Sequence, residues 1–488
     1  MEALRLLVTV VATAVVVLAT VPVFAGLYQF LLVGLSRFRT HLEAARIHLP
    51  RVAILIPAWN EGAVIGTTID RLMQLSYPQD RLRVYVIDDA STDETPHRVI
   101  AAMQRYRDRV VHVRRVAGGE GKAHTLNYGL EQLWRDDWTE AVLIMDADVI
   151  YTPSSLRQMA RHLADPAVGA VTAYIKEGSA APNYVQRFIT FEYITATGAS
   201  RRAQNVLGFL ACLSGGAQLH SRANLQAIGG KIFSDTLAED TFTTFRTQLG
   251  GRLALFEPNA RVYAEEPCDL VGLWKQRVRW GRGNVQITQV FKRLWLNPRA
   301  HGALGSASMA VLWFSIFLMP LFQIGASLSL LVLYAVDPAR SWVLFRGFWI
   351  VSAIVYGVVT GVSFVVDPES AAKSWVEGLL FPGLVSLALI AWAVWPPLLD
   401  VPIAWVDPPA WVRGAGTLFS YAWLSLGMAV SYLAMELEVR RRPRLAALAL
   451  YLGGYGAFLC AVTFGSYVKE WQGASRTWDK TVKTGKVG

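Results

Sequence analysis

Six long apolar segments constrain the fold of this chain more than any other feature of its sequence. A helix needs about 20 apolar residues to cross the hydrocarbon core of a bilayer. Residues 6–35 contain no charged side chain. We therefore expect an uncleaved N-terminal membrane anchor there and a bundle of membrane helices after residue 300. The uncharged runs of that bundle are 302–336, 347–366, 378–399, 414–435 and 445–468.

The stretch between the anchor and the bundle is polar, so the chain has two kinds of domain. Hydrophobic residues make up 53% of the chain and charged residues 17%, with a mean hydropathy of +0.32. A chain of this composition is too apolar to be a soluble enzyme and too polar to be a membrane bundle alone. The sequence predicts an anchor at 1–40, a cytoplasmic α/β domain with interfacial helices at 50–300, a bundle at 301–470 and a cytoplasmic tail at 471–488.

The basic residues indicate a membrane orientation rather than nucleic-acid binding, although the net charge is +10. Positively charged residues beside membrane spans mark the cytoplasmic side. We therefore expect a multi-pass protein of the plasma membrane, with the α/β domain in the cytoplasm and no nucleic acid as a partner. The arginines that flank apolar runs are Arg37, Arg39, Arg46, Arg51, Arg440, Arg441, Arg442 and Arg444.

The number of crossings decides on which side the tail lies. Five full crossings after the α/β domain would place Lys480, Lys483 and Lys486 outside. Four crossings would keep these lysines on the cytoplasmic side, together with the arginines that follow residue 439. The last apolar run is interrupted at Gly453-Gly454. We therefore expect 445–468 to re-enter the membrane or to lie in its interface.

Residues 51 to about 270 alternate between strand-like and helix-like patterns, which predicts a mostly parallel, doubly wound sheet. A glycine-rich turn at 118–121 leads into a helix that begins at Lys122. Ligands of such sheets bind beyond the carboxyl ends of the strands. The apolar runs that predict buried strands are 52–56, 84–87, 110–113 and 141–145.

Two acidic pairs follow directly on two of these strands. Asp146 and Asp148 are one residue apart, so their side chains face the same way if the strand continues through them. Paired carboxylates repel each other unless a proton or a metal lies between them. Mg²⁺ takes one or two carboxylates plus substrate phosphate oxygens, and Mn²⁺ suits the same ligands. The alternative for this pair is a solvated surface turn.

Asp88-Asp89 and Glu239-Asp240 each allow a structural and a functional interpretation. Asp88 and Asp89 either cap the following helix or accept hydrogen bonds from the base and ribose of a nucleotide. Glu239 and Asp240 either complement the dipole of a helix start or supply Asp240 as general base for an acceptor hydroxyl.

A basic amphipathic stretch covers 270–287. Its motif Gln276-Arg277-Val278-Arg279-Trp280 offers an aromatic face for a sugar ring at Trp280 and a phosphate clamp at Arg279. A basic helix on the membrane surface explains the same pattern. The two interpretations are compatible.

Taken in order, these motifs resemble the D-D, D-x-D, T-E-D and Q-x-x-R-W motifs of processive family-2 glycosyltransferases. That family includes the cellulose, hyaluronan, chitin and poly-N-acetylglucosamine synthases. The resemblance covers roughly residues 50–300. Ala238 stands where the family has threonine, whereas Asp240 is retained. Residues 279–286 look similar to cellulose synthases.

The resemblance implies a Rossmann-like GT-A domain and a membrane channel. It also implies inverting, processive transfer from UDP-glucose or UDP-N-acetylglucosamine, with Mg²⁺ or Mn²⁺, to a β-linked polysaccharide that crosses the membrane. Asp240 would be the base with Glu239 beside it, and Asp146 and Asp148 would hold the metal diphosphate. Trp280 would stack on the acceptor sugar. The implied nucleotide-sugar ligands are Asp88, Asp89, Lys122, Asp146, Gln276, Arg279 and Lys483.

The tail residues Trp478, Thr481 and Lys483 resemble the gating loop that covers UDP in related synthases, and a basic, disordered tail is the alternative. The partners implied are a UDP-sugar, the growing polysaccharide, the lipid bilayer and export or regulatory subunits. A second hypothesis is sugar transfer to a polyprenyl-phosphate lipid, against which the motif at 276–280 argues. A third, a transporter or receptor with an α/β sensor domain, has no use for Asp240 beside a D-x-D pair.

Overall fold

The computed structural model describes residues 2–36, 47–440 and 445–475. The chain divides into two compact units. The α/β unit contains Leu32–Cys268 and Gly283–Met309. The helical unit contains Met1–Leu31, Asp269–Arg282 and Ala310–Ala474.

The strands of the α/β unit form one eight-stranded sheet of order β3-β2-β1-β4-β7-β6-β8-β5 in the described residues. They are β1 (Val52–Ala58), β2 (Leu82–Asp88), β3 (Val110–Arg114), β4 (Ala141–Ile144), β5 (Val149–Tyr151), β6 (Val168–Glu177), β7 (Gln218–Ser221) and β8 (Leu253–Ala264). The four strands predicted from apolar runs form the parallel part. In the other part β7 is antiparallel to β4 and β6, while β6 is parallel to β8, so the sheet as a whole is mixed.

The helices alternate with the strands in the α/β unit and follow one another in the helical unit. In chain order they are α1 (Glu2–Leu18), α2 (Val21–Ser36), α3 (Ile65–Leu72), α4 (Thr95–Tyr106), α5 (Lys122–Leu133), α6 (Ser155–Ala160), α7 (Tyr184–Glu192), α8 (Ser200–Leu207), α9 (Arg222–Ala227), α10 (Glu239–Leu249), α11 (Leu270–Val290), α12 (Pro298–His301), α13 (Ala307–Phe317), α14 (Met319–Val336), α15 (Pro338–Val366), α16 (Pro368–Leu380), α17 (Leu384–Val394), α18 (Pro397–Val406), α19 (Ala410–Val439), α20 (Ala446–Gly453) and α21 (Tyr455–Trp471).

Strand β1 lies inside the parallel part of the sheet and is apolar on both faces. Ile54 and Ile56 pack in one core with Ile69 of α3. Leu55 points to the opposite face and packs in a second core with Leu126 of α5. Helices therefore cover both faces of the sheet, which is why the strand reads as a continuous apolar run rather than an alternating one.

Several apolar helices are long enough to associate with a membrane. Among the described residues, four helical segments are long and apolar enough to cross a membrane: Glu2–Ser36, Met319–Val336, Pro338–Val366 and Ala410–Val439. Three bent helix pairs raise this number to seven if each pair is one span. The pairs are Pro298–Gly305 with Ala307–Phe317, Pro368–Leu380 with Leu384–Val394, and Ala446–Gly453 with Tyr455–Trp471.

Two of the apolar runs are divided into shorter helices. The run 302–336 is divided because α13 ends at Phe317 and Pro320 occupies the first turn of α14. Proline fits a first turn but breaks a helix interior. The run 378–399 is divided by a 73° bend between α16 and α17 and again before α18, which begins at Pro397.

The interruption expected in the last apolar run is present. The axes of α20 and α21 differ by 117° across Gly454, whose φ is +92°. The break between α16 and α17 has a similar glycine, Gly383, with a φ of +84°. A Cβ on Gly383 would collide with the backbone of Gly454, and the reverse also holds. The two breaks therefore pack backbone against backbone, which only glycine permits at these positions.

Candidate active site

The predicted acidic residues lie at the carboxyl edge of the parallel strands. Asp88 is the last residue of β2, and its Cα is paired in register with Ala58 at the end of β1. Asp146 follows two residues after β4, which lies on the other side of β1. This is the edge at which open α/β sheets bind ligands.

Asp88 is buried and fixes the loop after β2. Its Oδ1 accepts a hydrogen bond from the Ser91 backbone at 2.8 Å, and its Oδ2 lies 3.2 Å from His112 Nε2 and 3.3 Å from Arg114 Nη1. Burial alone would raise the pKa of this carboxyl, but the hydrogen bonds from His112 and Ser91 and the charge of Arg114 hold it below its usual value. Asp88 is therefore ionised at neutral pH.

Asp89 fixes the glycine-rich turn. Its Oδ2 accepts a hydrogen bond from the Gly119 backbone at 2.9 Å, and its Oδ1 pairs with Arg115. Arg115 also pairs with Glu120. The turn that precedes α5 is thus held against the end of β2, and this places Lys122 at the sheet edge.

Lys122 is a buried cation among three carboxylates. Its Nζ lies 2.5 Å from Asp146 Oδ1 and 4.0 Å from Glu239 Oε1, and it donates to the Gly215 carbonyl at 3.0 Å. Burial lowers the pKa of this ammonium, but Asp146, Glu239 and Asp240 raise it by more, so the pKa is raised overall. Lys122 therefore stays charged at neutral pH.

Asp146 and Asp148 do not lie on one extended strand. The expectation that their side chains face the same way along a continuing strand is therefore wrong. Strand β4 ends at Ile144, and Ala147-Asp148 forms a turn that leads into β5. The chain turns here because β5 pairs with β8 instead of extending β4. Ala147 is buried and its carbonyl accepts from Thr68 Oγ1 at 2.6 Å, while Asp146 and Asp148 are partly exposed on either side of it.

Glu239 and Asp240 form the first turn of α10, so they lie at a helix start as expected. The backbone N–H of Thr241 donates to Asp240 Oδ1 at 2.7 Å. Acidic residues are favourable at this end of a helix because the dipole there is positive.

Two glycines that the sequence analysis did not select bring the backbone up to this acidic cluster. A Cβ on Gly215 would lie 3.3 Å from both Asp240 Oδ2 and Lys122 Nζ. A Cβ on Gly216 would lie 3.1 Å from Asp146 Oδ2. Asp240, Lys122 and Asp146 therefore converge on one short segment. The adjacent glycines were the available signal, since such a pair often marks close backbone approach.

Arg201 and Cys212 also lie beside Asp240 and were not identified from the sequence. Arg201 is on α8, directly after the π-helical segment Tyr193–Ala199, and donates to Ser214 Oγ. Its pKa is lowered by burial, against the opposing effects of Cys212 and Asp240. The Cys212 thiol has a raised pKa because it is buried and faces the Asp240 carboxylate. Neither residue stands in a recognisable sequence pattern.

The loop after β1 was missed as well. Asn60 has a φ of +54°, its N–H donates to Ser91 Oγ at 2.9 Å, and its Oδ1 accepts from the Thr92 backbone at 2.8 Å. The loops after β1 and β2 are therefore locked together. Trp59, the first residue of this loop, is half-exposed at the same sheet edge.

The carboxylates suit a metal that is held mainly by its substrate. Among the described residues, no group of three or more His, Cys, Asp or Glu side chains is placed to hold an ion. Asp146 and Asp148 supply two carboxylates, and the Asp146 side chain is 39% exposed. Mg²⁺ and Mn²⁺ accept such a pair when phosphate oxygens complete the coordination, so the donor set fits these ions.

The Gln276–Trp280 motif lies on the part of α11 that belongs to the helical unit. Arg277 donates to Gln276 Oε1, and its guanidinium carbon lies 4.2 Å from the centre of the Trp280 ring. One face of this ring is therefore stacked, while the residue remains 39% exposed. Arg279 lies partly exposed on the same helix.

This part of α11 is anchored on α21. Ser466 Oγ donates to the Val278 carbonyl at 3.2 Å. Arg282 Nε lies 2.5 Å from Glu470 Oε1, and Arg282 also donates to the Ala474 carbonyl at 2.7 Å. The tail residues Trp478, Thr481 and Lys483 lie outside the described residues.

The second part of α11 belongs to the α/β unit and holds the segment that leads into α10. The buried Gln286 Oε1 accepts from Leu237 N at 2.9 Å and from Thr236 Oγ1 at 3.1 Å. These contacts hold the segment that directly precedes Glu239-Asp240. Gln286 therefore helps to fix the start of α10, where Glu239 and Asp240 lie.

The sequence is similar to sequences of known glycosyltransferases. A sequence profile described as "Glycosyltransferase like family 2" matches residues 50–283. The chain is 32% identical over 245 residues to beta-monoglucosyldiacylglycerol synthase of Synechocystis sp., covering 50% of this chain and 50% of that protein. It is 28% identical over 242 residues to poly-beta-1,6-N-acetyl-D-glucosamine synthase of Staphylococcus aureus, covering 49% and 56%.

A solved structure supports the same fold. The mannosyltransferase PcManGT from Pyrobaculum calidifontis, in complex with GDP-Man and Mn²⁺, aligns with a TM-score of 0.52 at 20% identity. The alignment covers 79% of this chain and 99% of that one. The mixed sheet is therefore GT-A-like, as expected. The chain spans only about half the length of the curated relatives it matches.

Proposed function

We propose that this chain, which contains a glycosyltransferase family-2 domain at residues 50–283, elongates a β-linked polysaccharide from UDP-glucose or UDP-N-acetylglucosamine. The observation that carries this proposal is the convergence of Lys122, Asp146, Glu239 and Asp240 at the carboxyl edge of the sheet. A buried cation beside carboxylates from two further loops suits a diphosphate leaving group and an acceptor hydroxyl on the same small site.

In this proposal Asp240 is the general base. It takes the proton of the acceptor hydroxyl while the hydroxyl oxygen bonds to the anomeric carbon of the donor sugar. The bond from that carbon to the phosphate oxygen breaks, and UDP leaves with the electron pair. Attack opposite the leaving group inverts the anomeric configuration.

The charge that develops on the leaving diphosphate needs compensation. Lys122 supplies a fixed positive charge, because its surroundings keep it protonated. Asp146 and Asp148 would hold Mg²⁺ or Mn²⁺, which neutralises diphosphate oxygens when bound. Arg279 and Gln276 are assigned to the same end of the donor.

The uridine is assigned to the loops after β1 and β2. Asp88, whose side chain has no exposed surface, and the nearly buried Asp89 are assigned to shaping this pocket around base and ribose. Trp59 beside them is half-exposed and offers an aromatic face. Trp280 is assigned to the acceptor sugar. Trp478, Thr481 and Lys483 are assigned to a loop that closes over UDP, because a closed site excludes water.

Processive synthesis and export are supported by the motif at 276–280 and by the apolar helices. The order of motifs resembles polymer synthases, and the chain holds between four and seven candidate spans among its described residues. The flanking arginines support a multi-pass protein of the plasma membrane with a cytoplasmic catalytic domain. In this orientation the helical unit would carry the polymer out, alone or with export or regulatory subunits.

A lipid acceptor is the second candidate. It is favoured by the 32% identity to a protein named beta-monoglucosyldiacylglycerol synthase. The reaction at the anomeric carbon would be the same, and only the source of the hydroxyl would differ. Transfer to a polyprenyl phosphate would give a lipid product as well, but there a phosphate oxygen would attack the anomeric carbon instead of a hydroxyl.

One experiment separates these products. The purified full chain, reconstituted in liposomes that contain diacylglycerol and polyprenyl phosphate, is incubated with labelled UDP-glucose, UDP-N-acetylglucosamine or GDP-mannose and Mg²⁺ or Mn²⁺. We expect label from one UDP-sugar in a long glycan that is insoluble in organic solvent. Label found only in the lipid extract would replace the polymer by the lipid candidate.

The Asp240→Asn variant is the matched control, since it keeps the size of the side chain. If wild-type protein and this variant both fail to transfer label from every donor, glycosyl transfer itself is contradicted.

A further inference from the structure

Helix α18 and its flanks, residues 395–411, form an apolar segment that no other part of the described chain covers. No residue of α18 is buried. Trp405 is 87% exposed, Trp411 is 76% exposed and Trp395 is 61% exposed. A tryptophan at this exposure has almost its whole indole available to a partner.

The exposed helix has almost no polar face. Asp400 is its one charged residue, and Asp400 Oδ1 accepts a hydrogen bond from Trp392 Nε1 on α17 at 3.1 Å. Leu398, Val401 and Val406 extend the apolar surface around the helix. A helix that is apolar all round is normally buried, in a protein core or in a membrane.

The length of the helix excludes a span. Ten residues extend about 15 Å, roughly half of the hydrocarbon core. Proline residues at 396 and 397 and again at 408 and 409 limit it at both ends. Apolar segments of this length that are not in a protein core are typical of membrane interfaces. Tryptophan is enriched at the same depth, where the ring meets the headgroups.

The neighbouring helices continue the same surface. Helix α17 precedes the segment and α19 follows it, and both belong to candidate membrane spans. Val394 at the end of α17 and Phe419 in α19 are themselves exposed. The segment is therefore continuous with surfaces that already favour lipid over water or protein.

We propose that residues 395–411 insert into the interfacial layer of the lipid bilayer as an apolar wedge, with α18 lying between two membrane helices rather than crossing. The occupant is lipid itself, recognised by its apolar chains. No Lys or Arg lies between Lys373 and Arg413. Binding by this segment is therefore independent of anionic headgroups, unlike that of basic interfacial helices.

The test places a fluorescent label at position 405 in the reconstituted full chain. Trp405→Cys is made in a Cys268→Ser background, which removes the exposed native thiol, and is labelled with an environment-sensitive dye in neutral phosphatidylcholine liposomes. We expect most of the fluorescence to be lost with lipids that carry a nitroxide near the headgroup. The loss of fluorescence should be smaller with a nitroxide at the end of the acyl chain or with a water-soluble quencher. Adding anionic lipid should change none of these losses.

Trp411→Cys provides a second position in case the first variant folds poorly. Val116→Cys, at a fully exposed site in the α/β unit, should be quenched by the water-soluble reagent only, and the background protein without an added cysteine gives the blank. Stronger quenching from water or from the chain end would overturn the proposal. Protection of the label from all quenchers would also overturn the proposal. In that case, disulfide formation between two copies of the unlabelled Trp405→Cys chain would identify a second copy as the occupant.

Discussion

The ammonium of Lys122 lies 2.5 Å from the carboxylate oxygen Oδ1 of Asp146. Lys122 begins α5 and Asp146 follows β4, so this one contact joins two loops at the edge of the sheet. Glu239 from a third element lies 4.0 Å from the same ammonium. The lysine is thus the counter-charge that allows the carboxylates to share one small site before any donor binds.

Replacing Lys122 by methionine should therefore damage both function and stability. The variant keeps the length of the side chain but leaves the carboxylates facing one another. We expect transfer to fall by at least about tenfold and the free energy of unfolding to fall by about 1–3 kcal/mol, near the lower end because Asp146 is partly solvated. Turnover and thermal unfolding of the detergent-solubilised chain measure these changes. Lys231→Met, which removes an exposed ion pair with Glu131, should leave both unchanged.

The contribution of Lys122 to stability should also depend on pH in one direction. Its pKa is raised in the folded chain above the ordinary value of 10.5. A raised pKa means that the stabilisation is fully present below the unfolded pKa and is lost as pH rises through the folded pKa. The difference in melting temperature between wild type and Lys122→Met should therefore be constant around neutrality and shrink above pH 10.5. A difference that already shrinks as pH rises from neutrality toward 10.5 would contradict this assignment.

Asp240→Asn should separate chemistry from binding. The amide keeps the shape of the side chain but cannot take a proton from the acceptor hydroxyl. We expect turnover to fall by about 10²–10⁴-fold while the affinity for the UDP-sugar is largely retained. Steady-state kinetics together with donor binding by calorimetry measure the two quantities. Asp108→Asn, at an exposed position between α4 and β3, is the control. Equal losses of binding and turnover would make Asp240 a donor ligand instead.

Gln286→Ala tests whether α11 positions the base. The variant leaves the Leu237 N–H and the Thr236 hydroxyl without their common acceptor, so the segment before Asp240 loses its anchor. We expect kcat to fall while KM for the donor changes little, because Gln286 Oε1 binds the segment that precedes α10. Gln289→Ala on an exposed site of the same helix should have no effect. Rescue of kcat by Gln286→Glu, which restores an acceptor oxygen, would support positioning over a general loss of structure.

The parts of this site that could be predicted from sequence are those set by local pattern. Buried strands end where an apolar run meets acidic residues, so Asp88 and Asp146 could be placed at one sheet edge from periodicity alone. Glu239 and Asp240 could be placed at a helix start for a similar reason. The alternating strand and helix patterns alone predicted a doubly wound sheet, and the GT-A-like fold was expected only from the resemblance to family-2 glycosyltransferases.

The parts that could not be predicted depend on distant contacts. Nothing near Arg201 or Cys212 in the sequence indicates that they lie beside Asp240 in space. The turn at Ala147-Asp148 was missed because β5 leaves β4 to pair with β8, a partner more than a hundred residues later. The kink after Phe317 was missed because hydropathy does not register a proline within an apolar run.

Asp148→Asn should change the response of the enzyme to metal more than its fold. Asp148 is partly exposed and lies in the turn after β4, where an amide of the same size can be accommodated. If Asp146 and Asp148 hold Mg²⁺ or Mn²⁺ against the donor diphosphate, losing one of two carboxylates should raise the metal concentration needed for half-maximal transfer by at least about tenfold. Maximal transfer should also fall, with no change in melting temperature.

Metal titrations after treatment with a chelator give the metal concentration for half-maximal transfer. Asp137→Asn, at a fully exposed carboxylate, should leave the titration unchanged. Full activity of wild-type protein in excess chelator would exclude a metal at this pair and leave Lys122 as the charge that faces the diphosphate.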